Sequence, residues 1–217
     1  MEPLETELSR LPEISAETRA RLLAAVRPEL SRAPRKNRWR FELAAVVTSV
    51  FLLTAVIAGL LLWSGNTSFT AISARAGAFV MCGLLCVFAA VLAIAPGLRR
   101  AQLVTVLAFG AASMALVLLR SAQGASSTPE WVCTATHLGV GGVPLVIGLF
   151  ALRRGGLRLL SGVALGVAAG TSGAMVGELA CGRDSMHVLL FHVTAWAGVV
   201  VAGAAFSRLI RPRSYAP

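Results

Sequence analysis

The run LAAVVTSVFLLTAVIAGLLLW, from Leu43 to Trp63, decides what kind of molecule this is. It carries no charge, and crossing the hydrocarbon core of a bilayer takes about 20 apolar residues. Five more stretches read the same way: approximately Ala76–Ala95, Leu103–Leu119, Trp131–Leu152, Leu159–Leu179 and His187–Phe206. The fold class expected is an all-α membrane protein of six transmembrane helices, preceded by a short amphipathic cytoplasmic region. Short connections make neighbouring helices antiparallel. Gly141, Gly142 and Pro144 read as an interruption of the fourth helix, tolerable where a neighbour re-satisfies the backbone.

Composition agrees. The chain has 217 residues, 56% of them hydrophobic and 14% charged, with a mean hydropathy of +0.75. Soluble domains carry about 25% charged residues, and disorder needs low hydrophobicity, so both classes are excluded. Lys+Arg 20 against Asp+Glu 10 leaves a net charge of +10. With so much apolar sequence this excess points to a membrane, with no direct nucleic-acid partner. If six spans alternate, 17 basic residues fall on the side of the N-terminus. Only Arg75, Arg120 and Arg183 fall on the other. The positive-inside rule then places both termini in the cytoplasm of a multi-pass bacterial inner-membrane protein. Trp39, Trp63 and Trp131 lie at the expected interfaces, where indole rings anchor well.

Residues 1–42 hold nine basic and seven acidic residues and are expected as the cytoplasmic N-terminal region. The six-helix domain follows at 43–207 and a cytoplasmic tail at 208–217. A cleaved signal peptide needs an apolar core near its start. This start is polar, so the segment is expected to be kept. Leu4, Leu8 and Leu11 form one short helical stripe, which Pro12 ends. Ser15 is a plausible N-cap with Glu17 in the first turn. Leu22, Leu23, Val26 and Leu30 line one face of the helix that follows. Such helices either lie on the membrane surface beside the basic linker 32–40 or dock into a groove of a cytoplasmic protein.

Cys82 and Cys86 share a face of the second span and read as small apolar packing groups. Cys133 and Cys181 fall at the outer ends of their helices. His137 follows Cys133 by four residues, and His187 follows Cys181 across a short loop. Cys133 and Cys181 could bridge as a disulfide in an oxidising compartment, the four together could hold a tetrahedral metal, or all could stay separate. No cofactor is expected; this outer group is the one place where zinc or another metal would fit. His192 is expected to hydrogen-bond a neighbouring helix. Gly162, Gly166 and Gly170, extended by Gly173 and Gly177, form a small-residue stripe for close helix packing.

No charge lies well inside a span, as a transporter would usually require. Cys-x-x-Cys, His-Glu-x-x-His, Walker and Gly-x-Ser-x-Gly motifs are absent, so the chain is not expected to be an enzyme. A small transporter or channel remains the alternative class, and would show a polar path through the bundle.

One ordered pattern in the C-terminal region has a counterpart elsewhere. It runs from Cys133 through Pro144, Arg153-Arg154-Gly155 and the stripe Gly162, Gly166, Gly170, to Glu178-Leu-Ala-Cys181-Gly-Arg-Asp184-Ser-Met-His187 and His192. This pattern, with a short region ahead of six spans, resembles the NrsF-like family of six-span bacterial membrane anti-sigma factors. The resemblance implies that the chain holds an extracytoplasmic-function sigma factor at the membrane until a signal arrives. The tail leucines would be the docking anchors, and the outer cysteines and histidines candidates for signal reception.

Overall fold

The structure is a computed structural model that describes residues 15, 17, 18, 21, 24, 38–95, 102–119, 129–152 and 159–209. The chain divides into two units, 1–38 and 39–217. In the first, Ser15 Oγ accepts the backbone N–H of Thr18 at 3.2 Å, an N-cap bond, and Glu17 pairs with Arg21 one turn on at 2.7 Å. Glu17, Thr18, Arg21 and Ala24 are helical. The docking leucines expected there lie outside the described residues.

Among the described residues of the second unit all regular structure is helical: α1 (Arg38–Trp63), α2 (Phe69–Ala74), α3 (Ala76–Ile94), α4 (Gln102–Leu118), α5 (Glu130–Leu152), α6 (Leu159–Ala180), the short α7 (Ser185–His187), a π-helical turn Val188–Val193 and α8 (Thr194–Leu209). Among the described residues five stretches are long and apolar enough to cross a membrane: Trp39–Trp63, Ala76–Ile94, Glu130–Leu152, Leu159–Ala180 and Ser185–Leu209. The sixth stretch expected, within α4, is apolar but only 17 residues long, or about 25 Å at 1.5 Å per residue. Helix α1 begins at Arg38, ahead of the expected Leu43, with Trp39, Arg40, Phe41 and Glu42 in its first turns.

Helix α6 is the axis. It packs against α3, α4, α5 and α8. Of its most apolar 18 residues 83% are buried, against 17% for α1. Sequence explains the position. Its stripe of glycines lets neighbours approach to backbone contact: a Cβ at Gly166 would stand 2.6 Å from Val200 Cα and 2.9 Å from Val199 O on α8. Trp196 of α8 fills the space above Gly170 and donates from Nε1 to Val167 O at 3.1 Å. Outward faces carry Leu52, Val56, Leu84, Leu107, Phe150 and Val201, all exposed. Apolar residues on the outside as well as the inside mark a bundle whose solvent is lipid.

The expected interruption at Pro144 does not occur, and α5 runs unbroken through it. A proline inside a helix leaves the carbonyl four residues back without its N–H. Here that carbonyl is Val140 O, and the Ser172 hydroxyl of α6 lies 3.2 Å from it while donating at 2.7 Å to Ala169 O of its own helix. The neighbouring helix thus offers a shared, second-choice donor at the point where the proline leaves a gap.

Candidate functional site

One end of the bundle gathers the chemistry. Helix α6 ends there at Ala180, and α3, α5 and α7 begin there. Arg75, just ahead of α3, donates from Nη1 to Cys181 O at 3.5 Å, and Arg183 pairs with Glu130 of α5 at 2.8 Å. Asp184 caps α7, its Oδ1 accepting the His187 N–H at 3.0 Å. Thr134 Oγ1 of α5 donates to Phe191 O of the π-turn at 3.1 Å.

These ties bring Cys133, Cys181, His187 and His192 together. One donor atom from each lies within 4.8 Å of every other. Cys133 is half-buried and the other three are buried. All four cysteines of the chain are thiols in the structure. Cys133, His137, Cys181 and His192 line a cavity of about 120 Å³, with Gly173 and Gly177 on its wall. Those two glycines make the room: a Cβ at Gly173 would strike the His137 ring, and one at Gly177 the His192 ring.

Three of the four outer residues singled out from sequence, Cys133, Cys181 and His187, therefore meet. His137 lines the same cavity but stands deeper, its ring 6.0 Å from that of His192 and 6.4 Å from Trp196. His192 takes the fourth position. The reason is the π-turn. Residues five apart on an α-helix are about 140° apart around the axis. A π-turn pairs i with i+5, and it brings the His187 and His192 rings to 5.4 Å. Nothing in residue spacing announces such a turn. Cys82 and Cys86 are fully buried in the core and take no part.

Two thiols and two imidazoles form a soft, neutral donor set. It can close into a disulfide or bind a cation that prefers sulfur and nitrogen. Fold and cluster together define a multi-pass helical membrane protein with a thiol–imidazole site at one end of its bundle. No family model matches the chain, and no solved structure does. Over 215 residues it is 36% identical to the carotenogenesis protein CarR of Myxococcus xanthus, covering 99% of this chain and 97% of that protein. The chain belongs to the CarR family. The match takes in the N-terminal region as well as the bundle.

Proposed function

We propose that this protein is a non-catalytic, membrane-bound anti-sigma factor. Its N-terminal region sequesters an extracytoplasmic-function sigma factor at the cytoplasmic face and releases it on a signal. The bundle crosses the inner membrane six times, α4 included, with both termini inside. The observation that carries this reading is the layout: a charged segment striped with leucine, joined directly to a lipid-facing bundle, and shared almost end to end with CarR. The resemblance of the C-terminal pattern to NrsF-like anti-sigma factors supplies the partner class. The apolar anchors are Leu4, Leu8, Leu11, Leu22, Leu23, Val26 and Leu30.

The test is capture. Interface hot spots cost about 2 kcal/mol or more on truncation, and each 1.4 kcal/mol is roughly tenfold in affinity. Replacing Leu22, Leu23 and Val26 by aspartate should weaken sigma-factor binding by well over tenfold while the protein stays in the membrane. If the triple variant captures the sigma factor as well as the natural chain, the tail is not the docking element. If neither form captures one, the anti-sigma reading fails and a transporter or channel takes its place.

A further inference from the structure

We propose that Cys133, Cys181, His187 and His192 form a tetrahedral binding site for a zinc-class divalent cation. The proposal goes beyond the anti-sigma reading and stands without it.

Geometry carries the argument. Zinc bonds of about 2.3 Å to sulfur and 2.0–2.1 Å to nitrogen put tetrahedral donors about 3.3–3.8 Å apart. The four donors here lie within 4.8 Å of one another, so closing on an ion takes a movement of about 1 Å or less. They come from three elements, α5, the end of α6 and the α7–π-turn segment, which Arg75, Asp184 and Thr134 already hold in place. A π-turn is itself a frequent mark of a functional site, and this one sets the spacing of two of the donors.

Charge fits as well. Two thiolates and a divalent ion sum to zero, which suits a site three of whose four residues are buried; an uncompensated ion would be costly there. Arg183 does not oppose the cation, because Glu130 neutralises it at 2.8 Å. The same carboxylate stands 4.0 Å from His187 Nδ1. Zinc-bound histidines commonly turn their second nitrogen to a carboxylate, which fixes the ring. That distance is longer than a hydrogen bond, so Glu130 would take the outer position only as the site closes on the ion. Binding replaces the two thiol protons with the metal and releases both to solvent.

The experiment uses the full chain in detergent, reduced, from cells supplied with zinc. One zinc per chain is expected. Titration of the metal-free protein with Co²⁺ should give the visible absorption of a tetrahedral thiolate site and release two protons per ion. Cys133→Ser, Cys181→Ser and His192→Ala should each weaken binding at least tenfold, and Glu130→Gln by about 10–100-fold. The double variant Cys82→Ser, Cys86→Ser should bind as before. Cys133→His keeps four donors, so it should retain one metal with weaker thiolate absorption, which separates a lost ligand from a lost fold. Folded, reduced protein holding less than a tenth of an equivalent would overturn the proposal. So would zinc binding unchanged by Cys133→Ser, or a Cys133–Cys181 disulfide in protein isolated from the zinc-supplied cells.

Discussion

A single methyl group at Gly166 tests how tightly the bundle is built around α6. In Gly166→Ala the new Cβ would meet Val200 Cα at 2.6 Å and Val199 O at 2.9 Å. Both are backbone atoms, and carbon contacts are comfortable only near 3.5–4.0 Å. Relief requires α8 to retreat by about 1 Å. Overpacking of this kind costs about 1–3 kcal/mol. The retreat also stretches the Trp196 Nε1 to Val167 O bond of 3.1 Å, worth about 0.5–1.5 kcal/mol. Alanine's better helix propensity returns about 1 kcal/mol. The net expectation is a loss of about 1–3 kcal/mol. Gly59 and Gly110 serve as controls, because a Cβ at either meets nothing within 4 Å. Their alanine variants should be unchanged or more stable by up to about 1 kcal/mol. Reversible unfolding in mixed micelles, followed by helical circular dichroism, reads all three. Equal stability for Gly166→Ala and Gly110→Ala would refute backbone-close packing of α6 on α8.

Three further outcomes are expected. Ser172→Ala removes a hydroxyl shared between Ala169 O and Val140 O and should cost about 0.5–1.5 kcal/mol, less in a Pro144→Ala background, where residue 144 regains its N–H; additive effects in the double-mutant cycle would rule out any share of the Val140 carbonyl in that cost. Reporter fusions at Ser68 and Gly156 should fall on opposite sides of the membrane, and a shared side would end the six-span topology. Arg183→Gln breaks a partly exposed ion pair and should change stability by less than about 1 kcal/mol, so a larger loss by thermal unfolding would give that pair a structural weight its exposure does not suggest.

The helices were legible because each apolar run is long and bounded by arginine, glycine or proline. Their order around the axis was only partly so. The glycines of α6 announced a close-packed helix but not which partners it meets. Those are fixed by the ring of Trp196 and the backbone of Val199 and Val200. Pro144 misled as a breaker, since α5 runs through it against a packed neighbour whose Ser172, 28 positions along the chain, lies 3.2 Å from the carbonyl it leaves open. At the site, Cys133, Cys181 and His187 stood out by residue type at helix ends. His192 did not, because helical spacing turns it away from His187 and only the π-turn brings it back. Gly173 and Gly177 read as packing residues, while their second effect, room for two imidazoles, depends on rings contributed by other helices.

That α6 is the axis also sets an order of assembly. It follows α1, α3, α4 and α5 in the chain, so helices that pack on it are made before it exists. At about 5–20 residues per second, the end of α3 leaves the ribosome roughly 4–17 s ahead of the end of α6. Through that interval the face of α3 destined for the interior, with Cys82, Leu85, Cys86, Ala89 and Ala90, must do without α6. It carries no charge and no strongly polar group, so the wait is inexpensive. A chain stopped after α5 would hold several membrane-compatible helices without the one they pack around, and its surveillance by membrane proteases should begin there.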